Sequence, residues 1–109
     1  MYKRQGLIDR AAIEALRPGA IFVNVSRGSV VDEAALLEAL RSRRIAAAGL
    51  DVFWNEPDVN PEFASFPHVV LAPHAASGTV ETRRAMGALM QENLAAHFAG
   101  RPLPTEFKP

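Results

Sequence analysis

Five polar side chains in this 109-residue sequence have the types and the spacing of a site that binds and protonates an anion. Ser26 and Arg27 follow one short apolar run, Asp51 ends a second with Glu56 shortly after it, and His74 follows a third. An arginine guanidinium can hold a carboxylate through two parallel hydrogen bonds. A histidine can exchange a proton near neutral pH, and a nearby carboxylate fixes its tautomer and favours its protonated form. These residue types together favour acid/base chemistry on an anionic substrate.

Each of these residues also has a purely structural interpretation, because loops at strand ends are polar in most proteins. Arg27 can belong to a simple turn, Asp51 can form an Asx turn, and Glu56 can mark a solvated loop corner. His74 can be a hydrogen-bonded histidine packed inside its own turn. Trp54 is equally open, since it can contact substrate or a partner subunit, or anchor its own loop. Spacing alone leaves both the catalytic and the structural interpretations open.

Three short apolar runs that alternate with helical stretches predict an α/β fold with a parallel sheet. The predicted strands cover Ala20–Val25, Ala46–Val52 and Val69–Ala72. The first and third are almost entirely apolar, which is typical of parallel strands covered by helices on both faces. The predicted helices around the first strand cover Asp9–Leu16 and Glu33–Arg43. Ligands of an open parallel sheet bind beyond the carboxyl ends of its strands, so this fold places the polar residues at one edge.

The rest of the chain is predicted to hold one short turn and one long helix. Asn60 and Pro61 favour a single helical turn, because proline suits the first helical position. A long helix is predicted to start near Ser77–Thr79 and to run to Phe98, with Gly100 ending it. Its apolar side chains recur at every fourth position and are predicted to be core packing, part of it against something outside this chain: Met86, Met90, Leu94 and Phe98.

The composition excludes several classes of protein. The sequence is 49% hydrophobic, and its 12 basic residues balance 12 acidic ones, so the whole chain has no electrostatic preference for nucleic acid or anionic lipid. The absence of cysteine excludes disulfides, cysteine-ligated metal sites and a thiol nucleophile. No apolar run approaches the roughly 20 residues needed to span a bilayer. We therefore expect no metal site, no nucleic-acid or membrane partner and, without an export signal, a cytoplasmic location.

Three motifs in a fixed order carry a resemblance to a known family. They are LRPGAIFVNVSRGSVVDEAAL at Leu16–Leu36, GLDVFWNEP at Gly49–Pro57 and APHAASGTVETR at Ala72–Arg83. Over residues 6–104 the chain resembles the D-2-hydroxyacid dehydrogenases, which use a nicotinamide cofactor. The resemblance implies an α/β fold that is the second half of a Rossmann-type doubly wound parallel sheet, with about three parallel strands and their helices, ending in a long helix.

The resemblance also implies a role for each candidate residue. Arg27 matches the arginine that binds the substrate carboxylate and 2-oxo group, and Glu56 matches the glutamate that pairs with the catalytic histidine. His74 matches that histidine, the general acid/base that protonates the carbonyl oxygen as hydride arrives from the cofactor. Asp51 matches an aspartate near the nicotinamide carboxamide. The implied cofactor-binding residues are Val25, Ser26, Arg27, Asp51, Ala76, Ser77 and Gly78.

The implied cofactor is NAD or NADP, with NADP favoured, and the implied substrate is a small 2-oxo or 2-hydroxy acid. The motif at His74–Arg83 resembles that of glyoxylate/hydroxypyruvate and hydroxyphenylpyruvate reductases more than that of phosphoglycerate dehydrogenases, and glyoxylate/hydroxypyruvate reductase is the preferred activity. The family implies a homodimer for the parent enzyme. An alternative of another class is a dinucleotide-sensing binding module, as in co-repressors of the same fold. The joint presence of Arg27, Glu56 and His74 argues against that alternative.

The sequence contains no G-x-G-x-x-G phosphate loop, which is the main anchor for a dinucleotide pyrophosphate. Residues 1–5 do not resemble the family and are predicted to be a non-native leader. Residues 6–104 are predicted to be the C-terminal part of an NAD(P)-binding domain plus a connecting helix, followed by an irregular tail at 105–109. We expect a fragment with no dehydrogenase activity of its own and marginal stability, with an unpaired strand edge and uncovered apolar helix faces.

Overall fold

The computed structural model describes residues 4–107, which form two compact units divided after Ala75. Residues 1–3 of the predicted leader and residues 108–109 of the predicted tail lie outside the described residues. The first unit holds two helices and three strands: α1 (Arg10–Glu14), β1 (Ile21–Asn24), α2 (Glu33–Arg41), β2 (Ala47–Leu50) and β3 (Val69–Leu71). The second unit holds α3 (Val80–Phe98), and short 3₁₀ turns in the first unit cover Gly28–Val30 and Pro61–Ser65.

The first unit is built on a three-stranded parallel sheet with the strand order β1-β2-β3. Ile21 pairs with Ala47 and Asn24 with Leu50, and Leu50 pairs in turn with Leu71. The predicted parallel α/β architecture is therefore confirmed, although each strand is shorter than its predicted range. Among the described residues β1 has a neighbouring strand on one side only, which confirms the predicted unpaired edge.

Both helices of the first unit begin at an aspartate that caps their exposed N–H groups. Asp32 Oδ1 accepts a hydrogen bond from Ala35 N (3.0 Å), and Asp9 Oδ1 accepts one from Ala12 N (2.8 Å). A cap of this kind stabilises a helix by about 0.5–2 kcal/mol. Both helices end earlier than predicted. The predicted end of α2 is too late because Arg43 has a φ of 57°, a left-handed conformation that no helix continues.

One face of the sheet is buried against α1 and α2. Apolar side chains from β2 and from both helices form a single cluster, in which the largest fully buried members are Phe63, Ile13, Leu40 and Ile45. Burial of each such side chain contributes about 1.5–3 kcal/mol. Phe63 comes from the turn that Asn60 caps and Pro61 begins, so this predicted turn is confirmed and supplies part of the core.

The opposite face of the sheet is exposed to solvent. Ile21, Val23 and Val70 are 71%, 63% and 71% exposed. Successive side chains of a strand point to opposite faces, so these three lie on the side that the buried cluster does not occupy. Within the first unit, helices do not cover both faces as expected, because α1 and α2 pack on the same side of the sheet.

The second unit consists of α3 and an irregular tail. Thr79 Oγ1 accepts a hydrogen bond from Thr82 N (3.2 Å) at the start of α3, and Gly100, with a φ of 64°, follows its end. Both ends agree with the prediction. The tail has no helix or strand up to residue 107, as predicted, and Asn93 Nδ2 of α3 donates to Thr105 Oγ1 (2.9 Å).

The apolar stripe of α3 is exposed rather than buried. Its members are at least half exposed: Met86, Met90, Leu94 and Phe98. The prediction of core packing is therefore wrong for this chain, because a helix stripe is buried only where another element covers it. The expectation of uncovered apolar helix faces is confirmed. No helix within residues 4–107 is both long and apolar enough to cross a membrane.

Substitutions on the two faces of the sheet are expected to differ sharply. Leu50→Ala removes a buried side chain, so we expect the free energy of unfolding to fall by about 2–5 kcal/mol. Val23→Thr keeps the β-branched shape on the exposed face, so we expect a change below about 0.5 kcal/mol and slower aggregation. Urea denaturation and light scattering of the 109-residue chain measure both effects. An equal loss of stability in the two variants would contradict the exposure of this face.

Candidate active site

Asn24, the last residue of β1, shapes the turn that carries Arg27. Its side chain is buried, and its Oδ1 accepts hydrogen bonds from the backbone N–H (3.0 Å) and the hydroxyl (2.8 Å) of Ser26. Its Nδ2 donates to the carbonyl oxygen of Arg27 (3.0 Å). A buried amide is costly unless its polar atoms are paired, and here the pairing fixes the turn. Asn24 is not among the predicted site residues, and its signal in the sequence is a polar side chain inside an apolar strand.

The Arg27 side chain is exposed beyond the end of β1. Its Nη1 donates to the carbonyl oxygen of the adjacent Ser26 (2.6 Å), so within the first unit its guanidinium rests on its own turn. Gly28 comes next and lies against the backbone of Phe53. A Cβ at position 28 would overlap the carbonyl carbon and oxygen of Phe53, so only glycine allows this approach.

Glu56 and His74 form a hydrogen-bonded pair beyond the ends of β2 and β3. His74 Nδ1 lies 2.6 Å from Glu56 Oε2, and Phe53 N donates to Glu56 Oε1 (2.8 Å). Both carboxylate oxygens of Glu56 thus have donors, which orients the carboxylate. Because the Nδ1 proton is directed to Glu56, Nε2 is the ring nitrogen that remains for proton exchange with a ligand. Both side chains are partly exposed and within reach of solvent.

The hydrogen bond from His74 lowers the pKa of Glu56 below its ordinary value, and the bond from Phe53 N acts in the same direction. Partial burial and the negative charge of Asp51 act the other way and are outweighed. Glu56 is therefore anionic throughout the range around pH 6.5 in which a histidine ordinarily titrates. An anionic Glu56 accepts the hydrogen bond from His74 Nδ1, which leaves Nε2 for the proton transfer that a general acid performs.

Asp51 holds the turn that carries His74. It is buried at the end of β2, and its Oδ1 accepts a hydrogen bond from Ala75 N (2.8 Å). His74 itself has a φ of 54°, in the left-handed region of backbone conformation that residues other than glycine rarely adopt. Glu56 thus holds the imidazole ring of His74. Asp51 holds the backbone beside it, by accepting the hydrogen bond from the N–H of Ala75. The family resemblance implies that Asp51 lies near the nicotinamide carboxamide. The hydrogen bond to Ala75 N is not among the sequence predictions.

The structure brings some of the predicted site residues together and not others. Three of them gather beyond β2 and β3 in the first unit: Asp51, Glu56 and His74. Within residues 4–75 the Arg27 side chain makes no hydrogen bond to any of the three. Ala76, Ser77 and Gly78 belong to the second unit, where they precede the Thr79 cap of α3. The contact of a cofactor with these residues, and with Val25 and Ser26, stays a prediction.

The first unit is an α/β domain with a parallel sheet, and it carries an arginine and a glutamate–histidine pair beyond its strand ends, the edge at which open α/β sheets generally bind ligands. Residues 2–76 match the family model described as D-isomer specific 2-hydroxyacid dehydrogenase, NAD binding domain. This chain therefore belongs to that family, and the resemblance inferred from the three motifs is confirmed. The sheet is accordingly part of a Rossmann-type domain.

Relatives of known name support the same membership. The chain is 54% identical to a 2-ketogluconate reductase of Gluconobacter oxydans and 48% identical to a hydroxyphenylpyruvate reductase of Plectranthus scutellarioides, in both cases over 91% of this chain and 32% of the relative. It is 46% identical to the NADPH-dependent glyoxylate/hydroxypyruvate reductase of Sinorhizobium meliloti, solved in complex with NADP and malonate. That match has a TM-score of 0.85 and covers 96% of this chain and 33% of the other. The chain spans about a third of the length of these relatives.

The Glu56–His74 pair is expected to make stability depend on pH in acid. The pKa of Glu56 is lower in the folded chain than its ordinary value of about 4.3, so the contribution of the pair is complete above that pH. It is lost as the pH falls through the lowered pKa. Glu56→Gln is expected to be less stable than the unsubstituted chain at pH 6, with the difference vanishing at lower pH. Urea denaturation across pH measures this difference.

The matched control for that experiment is Glu92→Gln, at an exposed position of α3. Its stability is expected to run parallel to that of the unsubstituted chain. A pH-independent effect of Glu56→Gln would contradict the ionic pairing with His74. A moderate salt dependence is expected as well, because both side chains are partly exposed.

Proposed function

We propose that this chain carries the acid/base and carboxylate-binding part of an NAD(P)-dependent oxidoreductase that reduces a small 2-oxo acid to the D-2-hydroxy acid. The observation that carries the proposal is the 2.6 Å contact of His74 Nδ1 with Glu56 Oε2, beyond the ends of two parallel strands. This is the edge of a parallel sheet where ligands bind. A dinucleotide-sensing module needs no proton donor, so the pair favours catalysis over that alternative.

The side chains of the first unit account for the proton and for the substrate carboxylate. Protonated His74 gives its Nε2 proton to the carbonyl oxygen of the 2-oxo acid, and in the reverse direction the same nitrogen takes the proton from the hydroxyl. Glu56 stays ionised and keeps its hydrogen bond to Nδ1, so that the ring is held in place during the transfer. The Arg27 guanidinium binds the substrate carboxylate through two hydrogen bonds, after leaving the carbonyl oxygen of Ser26.

The residues present fit the nicotinamide end of the cofactor but not its pyrophosphate. The turn after β1 is fixed by three hydrogen bonds to Asn24, and Asp51 supplies a buried acid at the neighbouring strand end. No glycine-rich phosphate loop occurs in the sequence. The proposed contacts to the nicotinamide are Val25, Ser26, Arg27, Asp51, Ala76, Ser77 and Gly78. When bound, NAD(P)H would supply the hydride that the carbonyl carbon accepts.

The properties of the whole enzyme are proposals, because the chain spans about a third of its relatives. We propose a glyoxylate- or hydroxypyruvate-type substrate and NADP in preference to NAD. The reductase of Sinorhizobium meliloti, which is NADPH-dependent and acts on these acids by name, supports both proposals. A homodimeric parent enzyme in the cytoplasm is the further expectation from the family resemblance.

The acid/base role of His74 can be tested in a chimera in which residues 6–104 replace the matching third of the Sinorhizobium meliloti reductase. The chimera is expected to oxidise NADPH faster with glyoxylate or hydroxypyruvate than with pyruvate. His74→Gln in the chimera is expected to lower kcat by about 10²–10⁴-fold, because the proton donor is lost. Initial rates at saturating NADPH give these values.

Two controls belong to the same experiment. His97→Gln removes an exposed histidine near the end of α3 and is expected to leave kcat unchanged. The isolated 109-residue chain is expected to show no turnover. A His74→Gln chimera that binds NADPH and keeps full activity would refute the assignment of His74. A faster rate with pyruvate than with glyoxylate would refute the substrate class.

The carboxylate-binding role of Arg27 predicts a different kinetic signature. Arg27→Lys keeps the positive charge but replaces a planar fork by a single ammonium group, so one of two parallel hydrogen bonds is lost. We expect the KM for the 2-oxo acid to rise by about tenfold or more, with the KM for NADPH unchanged. An Arg27→Lys chimera whose KM for the acid stays at the unsubstituted value would contradict this role. Arg101→Lys, in the tail beyond α3, is the matched control.

A further inference from the structure

Two segments distant in sequence meet beside the candidate site. The first, Ser26–Val31, carries Arg27, and the second, Phe53–Glu56, carries the carboxylate that pairs with His74. Gly28 of the first segment lies so close to the backbone of Phe53 that no side chain fits between them. The two segments are therefore packed backbone to backbone at this point.

The indole of Trp54 makes a second connection between the same segments. Its Nε1 donates to the carbonyl oxygen of Val31 (2.7 Å), across 23 residues of sequence. Trp54 is 42% exposed, so burial of its ring explains only part of its placement. The hydrogen bond directs the indole to the first segment, which supports the loop-anchor interpretation of Trp54.

The connection continues from Trp54 to the acid/base pair. Phe53, the neighbour of Trp54 and the residue against which Gly28 lies, donates its N–H to Glu56 Oε1 (2.8 Å). Glu56 in turn holds His74 through Oε2. The position of the imidazole relative to the turn of Arg27 thus depends on the contacts between the two segments.

We propose that Trp54, together with Gly28, is a positioning residue that fixes the segment of Arg27 against the segment of Glu56. It touches neither substrate nor cofactor in this role. It holds the anion-binding turn and the proton donor at a constant separation, so that one small acid can engage both. The catalytic meaning of this separation rests on the proposed function, whereas the connection itself can be tested without any enzyme assay.

The first experiment uses the 109-residue chain and its single tryptophan as a reporter. Gly28→Ala adds a Cβ that would overlap Phe53, so the segments must separate. We expect the Trp54 indole N–H to shift in the NMR spectrum and to exchange with solvent about tenfold faster or more, since its hydrogen bond opens. Gly87→Ala in α3 is the matched control, because its Cβ would meet nothing within 4 Å.

An unchanged indole signal in a folded Gly28→Ala chain would overturn the connection. Should Gly28→Ala unfold the chain, Trp54→Phe decides the same question from the other side, because it removes the N–H donor and keeps an aromatic ring. Loss of the indole hydrogen bond in the Trp54→Phe variant is expected to shift the backbone amide signals of Arg27 and Gly28. Shifts confined to residues next to position 54 would refute the proposal.

The second experiment measures the positioning role in the chimera described above. Trp54→Phe is expected to lower kcat for the 2-oxo acid by about 10- to 100-fold, with the KM for NADPH unchanged. Phe66→Leu is the control for a general loss of packing, since Phe66 is a partly buried aromatic residue that packs against the same core. It is expected to lower thermal stability and to leave kcat unchanged.

The outcomes separate the two proposals. An unsubstituted chimera that folds, binds NADPH and turns over no 2-oxo acid would refute the proposed function, while the NMR experiment still decides the connection. An active chimera in which Trp54→Phe and Phe66→Leu have equal kinetic effects would refute the positioning role and leave the proposed function in place.

Discussion

Asn24, Leu50 and Leu71 lie side by side in the last paired positions of a parallel ladder, and this register determines where the candidate side chains of the first unit are placed. Parallel strands end at a common edge, so the turn after β1, the acid after β2 and the imidazole after β3 converge there. A slip of one residue between β1 and β2 would turn Asn24 to the other face, and the Arg27 turn would lose its hydrogen bonds. The core around Leu40 and Phe63 prevents such a slip.

Much of the secondary structure in both units could be predicted because its signals are local. The apolar runs, the Asn60–Pro61 turn and the ends of α3 all follow from short-range preferences. Position beyond the strand ends singled out Glu56 and His74, motif resemblance implied that they pair, and the structure contains their hydrogen bond. The hydrogen bonds that Asn24 and Asp51 accept from backbone N–H groups were not predictable, because each depends on the exact path of a turn. No local pattern in the sequence specifies that path.

The solvent exposure of the apolar side chains could not be predicted from sequence periodicity either. The same alternation of side chains places Leu50 in the core and Val23 in solvent, and only the presence of a covering helix distinguishes them. The acid/base pair is nevertheless assembled within the first unit, because Glu56, His74 and the Phe53 N–H that donates to Glu56 all belong to it. The hydrogen bond of the pair thus forms although one face of the sheet beside it is exposed.

The left-handed backbone at His74 has a consequence for the evolution and redesign of this chain. Left-handed backbone lowers the folding stability by about 1 kcal/mol or more when the residue is not glycine. Selection for folding stability alone would therefore replace His74 by glycine or asparagine, the residues that tolerate this geometry best. Arg43 has the same left-handed backbone but none of the proposed chemistry. At residue 74, backbone preference and the proposed proton donor thus favour different side chains, and a redesign that keeps the proposed chemistry must keep His74.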